Sequence, residues 1–347
     1  ARPLVLAVVV HHIGCDGWSM RILDRDLAQA YGARVHGRTP RWGRPAVQMA
    51  DVAHWQLGCA RDSRRMAEGL GFWREALAGL DSGTPQLPRG GCGQAGRVSF
   101  ALDRRMHSML VALAQRCGTT TFVVLHSAVA LLLHELGAGD RFTIGATVAL
   151  RDRSELTDVF GLLVNTVALP SGVDLERSFA ELVTRTHAND VEALQHSNVE
   201  FDAVVEALNP DRRPDRTPWI DVLITMGVGD KDFVSDYGAH GASGATLLLP
   251  GLPVTGQYPT PMPTARFPLT CAVTERFEGE SPAGLLGALE YSDRVGGLQG
   301  ERLVERLERL LTQVLSRPDT PLRTIDPLLT DEPKALVGAP GTAPRTV

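Results

Sequence analysis

The chain has 347 residues, 44% of them hydrophobic and 22% charged, with a formal net charge of −5. That length accommodates two lobes and a sizeable core, and the composition is that of a globular protein. The acidic balance leaves no basic field of the kind that nucleic-acid binders use, and the arginines that dominate over Lys231 and Lys334 are scattered along the chain.

Leu4 to Val10 is rich in β-branched residues and is expected as a buried strand. It leads into His11-His12-Ile13-Gly14-Cys15-Asp16-Gly17-Trp18-Ser19-Met20, a dense polar set at the predicted strand-to-helix junction. Met20, Leu23, Leu27, Ala30 and Tyr31 then mark an amphipathic helix ending near Gly32, and Gly37 to Pro45 is a turn-rich connector. Residues 46–80 read as two helices carrying Trp55, Leu70, Trp73 and Leu77. Asp81 to Gly96 is rich in Gly, Pro and Ser and is the expected boundary between lobes.

Arg97–Leu102 alternates as a short strand, and Asp103 is placed to cap a helix with Met106, Leu110 and Leu113 on one face. Thr119 to Leu136 is a thoroughly apolar, buried helix by its pattern. Phe142–Ala149 and Val164–Leu169 read as strands flanking a polar loop, Arg151 to Asp158. Ser178–Leu194 and Phe201–Leu208 read as helices, and Trp219–Met226 as a strand. Gly227 to Ala265 is long and rich in Gly and Pro, a length that marks a functional or bridging segment. Leu269–Phe277 and Leu285–Tyr291 are predicted strands, Gln299–Leu315 is a predicted helix, and the tail from Asp331 reads as linker. This order argues for a mixed α/β architecture with helices over sheets.

Cys15, Cys59, Cys92, Cys117 and Cys271 show no zinc or redox spacing, which fits reduced thiols in a cytoplasmic protein. The longest apolar runs read as too short for a bilayer, and residues 1–10 lack a signal-peptide pattern. The abrupt opening in an apparent core strand, without an initiator methionine, is expected of a fragment or excised domain.

Along a strand, successive side chains point to opposite faces, so one of His11 and His12 is expected in the core and the other in a cavity. Asp16-Gly17 is also a turn signal. A metal site on His11, His12 and Asp16 is the competing chemistry. Adjacent strand residues diverge, however, and no further His/Cys cluster supplies the other ligands. Gly91-Cys92-Gly93-Gln94-Ala95-Gly96 matches a dinucleotide motif formally, but it sits in a loop before a strand rather than between a strand and a helix. Ser19, at the helix start, reads as a cap.

The string His11-His12-x-x-x-Asp16-Gly17-Trp18-Ser19 resembles the HHxxxDG signature of condensation domains of nonribosomal peptide synthetases, in the chloramphenicol-acetyltransferase-like superfamily. Asp51-Val52-Ala53-His54-Trp55-Gln56 is similar to the family's "DYAxWQ", and Phe72-Trp73-Arg74-Glu75-Ala76-Leu77 to its "YWxxxL". Gly145 to Arg151 resembles "GTPVAGR", Gly161 to Thr166 resembles "GFFVNT", and His196 to Phe201 lies where "HQDxPF" falls. Ala265-Arg266-Phe267 and Leu289-Glu290-Tyr291 match the two late strands, so the resemblance covers residues 1–330.

The resemblance implies two acetyltransferase-like lobes with a tunnel between them. Residues 1–85 would be the remaining part of an incomplete first lobe, 86–330 the second lobe with a crossing segment at 227–265, and 331–347 a linker. It implies peptide-bond formation, the amine of one carrier-bound substrate attacking the thioester of another. No cofactor binds the domain itself; substrates arrive on the 4'-phosphopantetheine arms of donor and acceptor carrier proteins, and an adenylation domain is adjacent. Neither nucleic acid nor membrane is a partner. His12 is the implied catalytic residue, as base or as orienting group; an imidazole base is worth about 10²–10⁴-fold. Asp16 is implied to pair with Arg151, His11 to support the motif, Gly17 to allow close approach of substrate, and Asn165 to hold a substrate or pantetheine amide. Trp18-Ser19-Met20 leans towards an L-configured donor. The sequence departs from the family at Leu150, Leu163 and Glu200, the first two near the implied tunnel, where they would bear on substrate fit. Epimerization domains share HHxxxDG but continue differently, and a non-catalytic platform that recruits partner proteins is a further alternative.

Overall fold

The computed structural model describes residues 6, 8–43, 47–60, 63–80, 95–208, 217–229, 249, 265–292 and 300–326. The expected lobe boundary at 81–94, most of the 227–265 segment and the tail after 326 lie outside them.

Three helices come first: α1 (Gly17–Val35), α2 (Met49–Ala60) and α3 (Ser63–Ala76). Then follow β1 (Ala95–Leu102), α4 (Arg104–Arg116), α5 (Thr121–Leu133), β2 (Arg141–Ala149), β3 (Val164–Gly172), α6 (Phe179–Gln195) and α7 (Phe201–Leu208). The chain closes with β4 (Val222–Gly229), β5 (Leu269–Glu278), β6 (Ser281–Ser292) and α8 (Gly300–Ser316). Local chemistry sets several starts. Asp103 accepts the Met106 amide to cap α4, Thr120 caps α5, and Ser178 with Glu181 forms a reciprocal capping box at α6.

The strands form one mixed sheet in the order β1-β6-β5-β4-β2-β3. β4 runs parallel to both β2 and β5, and the remaining pairs are antiparallel. The parallel pairings need long crossovers, and β3, α6 and α7 supply the one between β2 and β4. α4, α5, α6 and α8 cover the sheet in the main core, with Leu110, Leu131, Phe179 and Leu310 buried against Ile144, Ile224 and Leu285. A second cluster joins Trp73 of α3 and Leu77 just after it to Val167 and Leu169 of β3 and Val204 of α7.

α5 is buried along nearly its whole length. Its one imidazole, His126, is satisfied by Asp190 of α6 at Nδ1 and by Ser171 of β3 at Nε2, both at 2.9 Å. A π turn, His134–Ala138, prolongs α5 beyond its apolar run. The resulting helix, Thr121–Ala138, is long and apolar enough to cross a membrane by length and composition alone, but 67% of it is buried inside the protein, as a core helix is.

The opening segment also differs from expectation. Residues 6 and 8–10 form no strand, and Leu6, Val8, Val9 and Val10 are exposed, Val9 at 95%. A strand needs a hydrogen-bonded neighbour, and no strand of the described sheet pairs with this run. The histidine motif therefore follows residues without regular structure and folds into a 3₁₀ turn, His12–Gly14.

Candidate active site

Two turns of chain meet at the start of α1. One is the histidine turn, residues 11–16; the other is the loop from Arg151 to Leu163, which carries a short 3₁₀ turn at Ser154–Leu156. Asp16 is the N-cap of α1, and its Oδ1 accepts the Ser19 amide at 2.9 Å. Ser19 completes the cap, since its Oγ accepts the Asp16 amide at 3.3 Å.

The structure brings Asp16 and Arg151 together across the two turns. Arg151 Nη2 donates to Oδ1 and Oδ2 of Asp16 at 2.9 and 2.8 Å, and the Leu163 amide donates to Oδ2 at 2.9 Å. Arg151 Nη1 donates to the carbonyls of Leu156 and Val159, both at 2.9 Å, so one guanidinium gathers the loop around the carboxylate. Both charged side chains are buried, 2% exposed for Arg151 and 1% for Asp16. A carboxylate and a guanidinium are stable in such a place because each neutralises the other and both Asp16 oxygens and both Arg151 Nη atoms are hydrogen-bonded.

The histidines separate for a reason other than strand alternation. The His11 backbone is extended, and its Nδ1 accepts the Ile13 amide at 3.1 Å, capping the 3₁₀ turn. His12 lies inside that turn, with Nδ1 at 2.7 Å from the Cys15 carbonyl. A carbonyl only accepts, so Nδ1 carries the hydrogen and the neutral ring holds its lone pair at Nε2. The His12 side chain lies at the exposed surface of the described chain. Cys15 is buried beneath it, and burial, followed by the neighbouring Asp16 charge, raises its thiol above the ordinary range. Among the described residues no three His, Cys, Asp or Glu side chains cluster to hold a metal ion.

Other expected site residues have different surroundings. Gly17 is the first residue of α1, half-buried, with an ordinary helical backbone. Asn165 of β3 is buried, and its carboxamide is spent on the chain's own backbone. Nδ2 donates to the carbonyls of Ser197 and Val199, both at 2.8 Å, while Oδ1 accepts the amides of Thr166 (2.8 Å) and Phe201 (3.2 Å). It thus clasps the turn between α6 and α7 to β3. Leu163 does not face an opening; its side chain packs with Val52, Leu156 and Val159 in a small core under α2.

Sequence reasoning missed how far α1 and α2 grip the loop. Ser19, read as a cap alone, also has its Oγ 2.9 Å from the Gly161 carbonyl and accepts the Gly161 amide at 3.0 Å. Trp18 Nε1 donates to the Thr157 carbonyl at 2.9 Å. Gly161 lies so close to Met49 of α2 that a Cβ there would stand 2.1 Å from the methionine sulfur. The GLLVNT string was a signal for Gly161, whereas nothing in the sequence marks Met49.

A Condensation domain family model matches residues 1–337. The chain is 33% identical over 96% of its length to a dimodular nonribosomal peptide synthase of Bacillus subtilis, of which it spans 14%. It is 32% identical over 93% of its length to an isonitrile lipopeptide synthase of Mycobacterium tuberculosis, of which it spans 13%. Among solved structures it is similar to the X-domain of teicoplanin biosynthesis in complex with OxyB, at 29% identity and a TM-score of 0.76, covering 93% of this chain and 69% of that one. The mixed sheet with its covering helices is accordingly the chloramphenicol-acetyltransferase-like fold, and the chain belongs to the condensation-domain family of nonribosomal peptide synthetases.

Proposed function

We propose that this chain forms peptide bonds between two carrier-bound thioesters. The amine of the acceptor attacks the thioester carbonyl of the donor, a C–N bond forms, the C–S bond breaks, and the amine proton ends on the departing thiol. The observation that carries this reading is the 2.7 Å contact between His12 Nδ1 and the Cys15 carbonyl. With Nδ1–H held by the Cys15 carbonyl, Nε2 is the basic nitrogen and can take the amine proton as the tetrahedral intermediate forms. An aminoacyl amine titrates near pH 7.7–8.0, so much of it is already the free nucleophile at neutral pH. The same nitrogen, once protonated, can hand its proton to the thiolate.

Asp16 and Arg151 do no chemistry in this scheme. They hold the histidine turn against the 151–163 loop so that Nε2 keeps its place. The substrates come on 4'-phosphopantetheine arms of donor and acceptor carrier proteins, and an adenylation domain adjoins. The small share of each related synthetase that the chain spans supports a role as one part of a modular polypeptide. In this reading residues 1–85 and 86–330 face each other across the reaction channel, with 227–265 crossing between them.

A second reading is a recruitment platform, supported by the likeness to an X-domain solved in complex with OxyB. One experiment separates the readings. Donor and acceptor aminoacyl carrier proteins are supplied to the full-length protein and to His12→Ala, and products are followed by mass spectrometry. A dipeptide product that falls by about 10²–10⁴-fold in His12→Ala supports condensation with His12 as base. An undiminished product overturns that role for His12, deuterium exchange at the donor α-carbon without condensation points to epimerization, and carrier binding with neither reaction points to the platform.

A further inference from the structure

We propose that Ser19 is a positioning residue for His12, acting through the single peptide group that joins Cys15 to Asp16. This rests on the reading of His12 Nε2 as the group that takes the amine proton.

The carbonyl oxygen of Cys15 and the amide hydrogen of Asp16 belong to one planar peptide unit and point to opposite sides of it. His12 Nδ1–H binds the oxygen at 2.7 Å, and Ser19 Oγ accepts the hydrogen at 3.3 Å. Rotating that plane to release either contact would release the other. Ser19 Oγ is itself held on several sides. It is fully buried, accepts the Gly161 amide at 3.0 Å, and has its proton within reach of Asp16 Oδ1 (2.8 Å) and the Gly161 carbonyl (2.9 Å). A hydroxyl has two lone pairs and one hydrogen, and here all of them are engaged.

The chain of contacts therefore runs from Gly161, through Ser19 Oγ and the 15–16 peptide, to Nδ1 of His12. Hydrogen bonds arranged in series through a peptide group polarise one another, so the Ser19 contact also makes the Cys15 carbonyl a better acceptor. The arrangement fixes the direction of the carbonyl, and the carbonyl fixes which imidazole nitrogen is left to act as base. Capping alone explains the Ser19 contacts with Asp16 but not the two contacts with Gly161, which anchor the hydroxyl to a different part of the chain.

The test uses the full-length protein and three variants. His12→Ala assigns the His12 signals in imidazole nitrogen NMR, Ser19→Ala removes the hydroxyl, and Val52→Ala loosens the same packing region without touching a hydrogen bond to the turn. We expect His12 of the native protein to be the Nδ1–H tautomer, Ser19→Ala to shift it towards the Nε2–H form, and Val52→Ala to leave it unchanged despite lost stability. In the condensation assay Ser19→Ala should lower kcat by about 10²-fold with little change in KM for either carrier protein. An unchanged tautomer in folded Ser19→Ala overturns the proposal whatever the rates. A shifted tautomer with native kcat, where His12→Ala is impaired, overturns it too. If His12→Ala is as active as the native protein, the base role has failed on its own, and the tautomer still decides the role of Ser19. Should Ser19→Ala not fold, Ser19→Cys keeps the volume while weakening the hydrogen bonds, and the same tautomer criterion applies.

Discussion

One nitrogen of Arg151, Nη2, lies between both carboxylate oxygens of Asp16, at 2.9 and 2.8 Å, while Nη1 of the same guanidinium takes two loop carbonyls. The pair is thus an ion pair and a loop clamp at once, and its Nε is buried without a hydrogen-bond partner. Such a pair contributes little when compared with a well-packed apolar substitute, yet breaking it from one side leaves a bare buried charge. Asp16→Asn and Arg151→Met should each destabilise the protein by about 3–5 kcal/mol, and the double variant by less than their sum. Urea unfolding of the four proteins checks this; additive losses would show that the two side chains act independently.

Asn165 should behave as a clasp. Asn165→Ala strips partners from the Ser197 and Val199 carbonyls and from the Phe201 amide, a loss of about 1–3 kcal/mol. Asn165→Asp should be worse, because a carboxylate oxygen would then face two carbonyl oxygens. Hydrogen exchange at the Phe201 amide should quicken in both variants. Native stability together with weakened binding of a carrier-bound substrate would instead give the carboxamide to the substrate.

Gly161 is required by proximity rather than by backbone conformation. A Cβ at this position would stand 2.1 Å from both Cγ and Sδ of Met49. Gly161→Ala should therefore cost about 1–3 kcal/mol through overpacking. The same change made in a Met49→Ala background should cost measurably less. Thermal unfolding of the two single variants and the double variant decides it, and an equal cost in both backgrounds would locate the strain elsewhere.

Cys271, the third residue of β5, has its thiol pushed up to about 12 by burial, from 9.0. The folded protein thus holds this proton more tightly than the unfolded chain does. The resulting stability is fully present below pH 9 and is lost as pH rises from 9 towards 12. Native protein should lose stability over that window more steeply than Cys271→Ala, by up to about 1.4 kcal/mol per pH unit. Parallel pH dependences in denaturant titrations would argue against it. At neutral pH the Cys271 thiol should resist alkylation until the protein unfolds, whereas half-buried Cys117 reacts in the native state.

Much of the fold was legible because its signals are local. Asp103 before Met106 and Leu110, the unbroken apolar run of α5, and the length of Phe201–Leu208 ahead of Asn209-Pro210 each follow from side chains within one or two turns. The opening segment failed on the same grounds. Val8, Val9 and Val10 have strand chemistry, but a strand is made by its neighbour, and composition carries no information about whether a neighbour is there. Asn165 shows the limit for single residues. Its identity promised an amide–amide contact, and only the fold decided that the amides are those of the turn after α6.

The sequence by itself determined the family, through a motif whose members stand within ten residues of one another, and it determined the helices and most strands through short-range periodicity. Tertiary structure decided what those motif residues do. Arg151 and Gly161 are remote from Asp16 and Ser19 along the chain and meet them only when the 151–163 loop closes over α1. The tautomer of His12 depends in turn on the carbonyl that this closure holds in place. Hydrogen-bond direction and the pairing of buried charge are properties of assembled neighbours, so they came into view only with the fold.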